Sequence, residues 1–238
     1  MKIGHTKNTV FRTVALISTV FLAGCSSPTT MYYTLSAPPL NSSSLGQPAD
    51  ATASSQIPTA AVWNRPYRVS ALTIPAQVDD TPLVVRQSSD QLMVLTYDRW
   101  TGPLRDQFQD ALSQALTQNL GMPPVQNLGL EASNGVDQIH VDVQRFDLLP
   151  GQAALLEVVW QISPGARAQA STVQKGVKPN TQPQARPRAM TCYSVLRTSS
   201  GVGVAALVLA QQHNVQELAA QIAQTLRSGQ APAAARCV

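Results

Sequence analysis

The chain has 238 residues and a formal net charge of +4, with 17 Lys and Arg against 13 Asp and Glu, 44% hydrophobic residues and 3 cysteines. That length supports one substantial core, so one domain, or at most two, is the expectation. Three cations, Lys2, Lys7 and Arg12, fall in the first 24 residues, which carry no acid; the remainder holds 14 basic against 13 acidic residues, scattered along the chain, and offers no electrostatic footprint for nucleic acid.

Residues 1–24 read as a targeting segment, with a basic start, an apolar stretch from Val14 to Ala23 and small residues just before Cys25. About ten apolar residues span only ~15 Å as a helix, half the ~30 Å hydrocarbon core, which argues against a permanent transmembrane helix. LAGC, residues 22–25, resembles the bacterial lipobox; the plain alternative is an ordinary secretory signal with an incidental cysteine. The lipobox reading implies cleavage before Cys25, a diacylglyceryl group on its sulfur and an N-acyl chain, and multiple chains anchor stably because each buried CH₂ contributes ~0.8 kcal/mol. Ser26 follows where an aspartate would favour inner-membrane retention, so the same resemblance implies the periplasmic face of the outer membrane.

Residues 30–36, TMYYTLS, are aromatic and β-branched and predict a short strand. Residues 37–59, rich in Ser, Pro, Ala and Gln without a period, predict a linker or surface loop. Either the strand joins the sheet from a distance, the favoured reading, or everything to residue 60 is a tether. Alternation then predicts strands over residues 67–74, 83–87 and 91–96, a small antiparallel run that ends in YDRWTGPL, residues 97–104. From Leu104 the apolar positions Leu104, Phe108, Ala111, Leu112, Ala115, Leu116 and Leu120 fall on one helical face, with Thr101 as N-cap, Pro103 in the first turn, and Gly121 and Pro123 as the stop.

Ile139, Val141 and Val143 alternate with polar residues until a phase slip near Arg145, the sign of a bulge, and Pro150-Gly151 turns the chain into a returning strand carrying Ala154, Leu156, Val158, Trp160 and Ile162. Residues 163–188, basic and rich in Pro and Gln, predict an exposed insertion, and residues 189–197 resume a strand. The stretch 201–210 is apolar without a decisive period and either extends the sheet or starts a helix early. Asn214 to Glu217 resembles a capping box ahead of a helix that buries Val215, Leu218, Ala219, Ile222, Ala223 and Leu226. The expected fold is α+β, an antiparallel or mixed sheet with two amphipathic helices packed on one face. The expected organisation is a signal at 1–24, a lipidated N-terminus with strand and linker at 25–60, and one domain at 61–238 carrying the insertion.

Catalytic constellations are sparse. Outside the signal, histidine occurs only as His140, on the polar side of a strand, and His213, beside a helix; both read as solvated. The carboxylate pairs Asp79 with Asp80 and Asp106 with Asp110 read as turn chemistry and as a polar helix face. No metal-binding or phosphate-cradling motif occurs. In an oxidising compartment Cys192 and Cys237 either form a disulfide or remain two reduced buried thiols, and the loop such a bond closes would contribute roughly 4 kcal/mol in the entropic account. Tyr97, Arg99, Trp100, Pro103 and Leu104 are the candidate partner interface, because Trp and Arg most often dominate protein contacts. The competing reading puts Trp100 in the core and pairs Arg99 with Asp98 or Asp106.

The order of lipobox, YYTL, LVVR and YDRWTGPL leading into an amphipathic helix resembles the PqiC (YmbA-like) family of ABC-type transport auxiliary lipoproteins, over the whole mature chain but specifically over residues 22–36 and 72–120. Arg99, Trp100, Pro103 and Leu104 match the family's strand-to-helix junction, while Thr101-Gly102 stands where a small-acidic pair is usual, leaving open any role of that acid. The resemblance implies a non-catalytic docking lipoprotein without cofactor, an MCE-domain periplasm-spanning protein as partner, and a homo-oligomeric ring. In that picture the linker supplies reach. The alternatives are a direct lipid carrier with an apolar groove between sheet and helices, and a periplasmic hydrolase.

Overall fold

The structure, a computed structural model, describes residues 28–36, 63–125, 135–165 and 189–238. Cys25, the signal, the whole predicted linker and most of the predicted basic insertion lie outside the described residues. By its contacts the chain divides into residues 1–30 and a compact unit, Met31–Val238, which holds all the described helices and strands. These elements are β1 (Met31–Tyr33), β2 (Tyr67–Thr73), β3 (Pro82–Arg86), β4 (Leu92–Trp100), α1 (Leu104–Leu120), β5 (Asp137–Leu149), β6 (Ala153–Ser163), β7 (Met190–Ser199), α2 (Val204–Ser228) and β8 (Ala235–Cys237). The fold is α+β, and its strands form two sheets.

The larger sheet has the order β2-β5-β6-β7-β8. Its centre is the predicted hairpin of β5 and β6, turned at Gly151, whose φ of 68° suits a residue without a Cβ. The phase slip read in the sequence is a register shift between Val143 and Arg145. Inward residues of both strands, among them Ile139, Val141, Leu156, Val158 and Trp160, are buried against the helices. Burying such a side chain stabilises by about 1.5–3 kcal/mol. Cys192 faces Cys237 in the β7–β8 register, and a disulfide joins the two.

The sequence expectation of one antiparallel run over residues 67–96 is corrected. β2 leaves its neighbours and pairs in parallel with β5, shifting register between Val69 and Ala71. β3 and β4 pair antiparallel in a separate three-stranded sheet, order β1-β4-β3. Edge pairing of this kind costs β2 little, because its apolar residues still reach the common core: Tyr67 is fully buried and donates its hydroxyl to the Met122 carbonyl at 2.8 Å. That burial pushes the phenol up to about 12.

Both helices bury the predicted faces and pack on each other. All seven apolar positions foreseen for α1 are buried. For α2 the capping-box reading is corrected: the helix starts at Val204, after Gly203 (φ 96°), so Asn214 lies inside it. There Asn214 is buried and donates to the Ala154 carbonyl at 3.1 Å while accepting from Thr198 at 2.7 Å. The apolar stretch before it supplies two further turns, placing Leu207 and Val208 in the core. No helix among the described residues is long and apolar enough to cross a membrane.

Candidate functional site

The junction predicted from YDRWTGPL is where the three-stranded sheet hands the chain to α1. Trp100, the last residue of β4, donates its backbone N–H to the Thr81 carbonyl at 2.7 Å and, in the parallel register, lies opposite Tyr33 of β1. Its indole is 2% exposed and meets the Phe146 ring edge-on, centroids 6.2 Å apart at 74°. Leu104, at the start of α1, is fully buried. These two residues of the candidate interface are therefore core, a correction with a simple cause. A strand that enters a helix directly must bury the large side chain at the turn, and here the indole closes the space between β4 and β5.

Tyr97 and Pro103 are exposed, and Arg99 is half-buried. Arg99 does not pair with Asp98 or Asp106: the Asp98 carboxylate accepts the Tyr33 hydroxyl at 2.9 Å, and among the described residues Arg99 has no ion pair. Burial and that carboxylate hold the Tyr33 phenol above its ordinary range. Thr101 is not the helix cap either. Pro103 takes that position, and its carbonyl accepts the N–H groups of Asp106 and Gln107.

The negative group at this helix start comes from elsewhere. Asp79 reaches over from the β2–β3 connection, accepting the Arg105 backbone N–H at 2.9 Å and its guanidinium at 2.6 Å. A carboxylate here satisfies an otherwise unpartnered N–H and complements the helix dipole. Its neighbour Asp80 instead accepts the Thr81 N–H within the turn at 2.6 Å. The junction lacks an acid at 101–102, and Asp79 supplies one through space.

Behind the junction, the two sheets are fastened by charge. Asp147 of β5 is buried, with Arg145 at 2.5 Å and Arg86 of β3 at 2.8 Å. Arg145 also meets Glu157 at 3.3 Å. A buried carboxylate between two guanidinium groups is compensated only while both stay in place, so the pairing fixes where β3 lies along β5.

The segment after the predicted N-terminal strand is built in as well. Leu35 is fully buried, its N–H and the Thr34 hydroxyl both bond Gln107 of α1, and Gln212 of α2 donates to the carbonyls of Thr34 and Ser36 at 2.9 and 3.3 Å. Thus β1 is an edge strand of the folded unit, and residues 37–62 connect it to β2 rather than hanging the domain from its N-terminus.

The outer face of the larger sheet carries an open depression of about 430 Å³ lined by His140, Asp142, Gln161, Thr73, Ala71 and Val159. Ser70 lies 3.1 Å from His140 Nε2, but its hydroxyl donates to the Ile139 carbonyl at 3.2 Å, and Asp142 is occupied by Thr73 and Gln144. A nucleophile needs its proton directed at a base that a third group orients. That geometry is not assembled around His140. His213 sits on the exposed side of α2, Asp106 and Asp110 on the exposed side of α1, and no cluster of metal-binding side chains occurs among the described residues.

The interior between sheet and helices is filled. Trp160 donates to Ser194 at 2.9 Å, whose hydroxyl donates to Gln221 of α2 at 2.7 Å, and Leu218 and Ile222 pack beside them without exposure.

Comparison with known proteins fits this architecture. A comparison with the curated proteins found no match. Among solved structures, an uncharacterized protein superposes with a TM-score of 0.57 at 18% identity, covering 84% of this chain and 99% of its own. A Xanthomonas campestris protein superposes at 0.50, also at 18% identity, covering 71% of this chain and 89% of its own. Those likenesses establish a shared fold. A family model described as the ABC-type transport auxiliary lipoprotein component matches residues 44–223, which takes in α1, most of α2 and most strands of each sheet. The chain belongs to that family of transport auxiliary lipoproteins.

Proposed function

We propose that this lipoprotein is acylated at Cys25, resides on the periplasmic face of the outer membrane, and serves as a non-catalytic docking component of an MCE-type intermembrane phospholipid transport system, in the manner of PqiC. Its partner is the periplasm-spanning MCE-domain protein, received by a homo-oligomer of the lipoprotein. The observation that carries this reading is the incorporation of β1 into the folded unit. With Met31 paired to Asp98 and Leu35 buried between the helices, only residues 26–30 separate the acylated cysteine from the fold. A rigid, well-packed unit held that close to a membrane is suited to receiving a partner at a fixed height, a task that needs position rather than chemistry. The signal at 1–24 is removed, and no cofactor enters beyond the acyl chains.

Recovery of an MCE-domain protein with the acylated chain from detergent-solubilised envelopes tests this reading. Recovery that needs intact Cys25 and survives membrane solubilisation is the expected result; an acylated chain that brings down no such partner would refute it. The direct lipid carrier is less well supported, because the sheet–helix interior that would hold an acyl chain is occupied by Trp160, Leu218 and Ile222. Stoichiometric phospholipid in the mass spectrum of the purified folded unit would revive it.

A further inference from the structure

We infer that the face of the three-stranded sheet presenting Tyr32, Tyr97 and Arg99 rests on the bilayer that holds the acyl chains, setting the orientation of the folded unit. This rests on acylation at Cys25. From Cys25 to Met31 the chain makes six peptide steps, which reach at most about 20 Å. A folded unit the length of Met31–Val238 has a radius of gyration of about 17 Å. The headgroup layer, the difference between a ~40–45 Å bilayer and its ~30 Å core shared over two leaflets, uses up several ångströms of that reach. The leash therefore holds β1 within reach of the headgroups and leaves the far parts of the unit no such access.

What lies there has the composition of a membrane-interface contact. Tyr32 is 64% exposed and Tyr97 46%, two large rings held in water on neighbouring strands. In the parallel register Tyr32 lies opposite Arg99, and alternation along β4 puts Tyr97 on the same face two residues away. Tyrosine rings seat at headgroup depth with the ring toward the acyl chains and the hydroxyl toward water. Arg99, without an ion pair among the described residues, is available to phosphate oxygens. Among the described residues β1 is also an edge strand, paired to β4 alone. The acyl chains supply affinity; this face supplies orientation. Met31, paired with Asp98, points to the opposite face, and Pro103 lies at the turn into α1, so neither belongs to the contact.

The test uses the full chain, acylated and reconstituted into phosphatidylethanolamine/phosphatidylglycerol vesicles whose acyl chains carry bromine, a short-range quencher of indole fluorescence. Tyr32→Trp places an indole on the face, and Leu209→Trp places one on the exposed side of α2 as a reference. Measured as the difference from the unsubstituted acylated chain, whose Trp63, Trp100 and Trp160 supply the background, the added indole is expected to be quenched about twofold or more, with a blue shift, for Tyr32→Trp and to change little for Leu209→Trp. Both indoles left unquenched, on protein whose acyl mass at Cys25 is confirmed, would overturn the inference and leave the docking reading standing. Absence of the acyl mass would overturn both. A blue shift of Tyr32→Trp that appears in unbrominated vesicles only on adding the MCE-domain protein, or only as protein concentration rises, would overturn it too, assigning the face to a partner or to a second copy.

Discussion

Trp100→Ala separates core from dock at the junction, and its magnitude follows from the packing. The indole is 2% exposed, so its removal forfeits the transfer free energy of a large side chain and leaves a cavity beneath β4 that the surrounding strands cannot close. Core Trp to Ala changes cost about 3–5 kcal/mol, and the edge-on contact with Phe146 adds about 1 kcal/mol beyond area alone. A loss near 4 kcal/mol is a large part of the ~5–15 kcal/mol that holds a domain together. With a urea slope of ~2 kcal/mol per molar, the unfolding midpoint drops by roughly 2 M. Circular dichroism in urea measures this directly, since it does not depend on the deleted chromophore. Tyr97→Ala and Arg99→Ala, at the surface of the same strand, move the midpoint by no more than about 0.5 kcal/mol equivalent. A Trp100→Ala protein with an unchanged midpoint that failed to recover its partner would refute the core assignment and return the indole to an interface.

Three further outcomes are expected. Cys192→Ser with Cys237→Ser opens a crosslink spanning 45 residues, which the chain-entropy account values at about 4 kcal/mol, and hydrogen exchange should rise first in β8 and its partner residues of β7; unaltered protection there would contradict the stapling role. Asp79→Ala removes the carboxylate from the start of α1 and costs about 1 kcal/mol by denaturant titration, whereas Asp106→Ala, which bonds nothing there through its side chain, costs less. Tyr67, raised to about 12 from 10.0 by burial, contributes stability that is complete below about pH 10 and is lost as pH climbs through about 12, up to about 3 kcal/mol in all; Tyr67→Phe should remove that share of the alkaline decline, and an identical decline in both proteins would show that the phenol does not titrate with unfolding.

Parts of this fold can be read directly because their signals are local. The seven buried positions of α1 recur at helical spacing and are buried as the spacing requires. The hairpin of β5 and β6 announces itself by alternation, and even the bulge by Arg145 shows as a slip in phase. Illegible features depend on partners distant in sequence. β2 alternates equally well beside β3 or beside β5, and the choice is made by packing some 70 residues away. β8 is three residues long, too short for any period. The start of α2 is hidden by an apolar run with no polar face, and Asn214 and Glu217 imitate a cap inside a helix. At the junction, Trp100 is ambiguous because the residue types that make hot spots also make cores. Asp79 reads as turn chemistry, and only the fold brings it to Arg105, 26 residues on.

The most consequential of these concerns residues 37–62. As a tether, a flexible stretch such as 37–59 would add about 25 Å of root-mean-square reach and up to ~80 Å at full extension. With β1 paired to β4 and Leu35 buried, that length connects two strands of the same folded unit, and the proposed anchor at Cys25 keeps only residues 26–30. Reach across the periplasm must then come from the partner. In the proposed assembly the MCE-domain protein travels the distance and the lipoprotein marks its destination, which demands of the lipoprotein a fixed height and a fixed tilt. A short leash limits height without setting tilt. A second contact with the bilayer is needed for that, and Tyr32, Tyr97 and Arg99 sit where the leash would bring them to it.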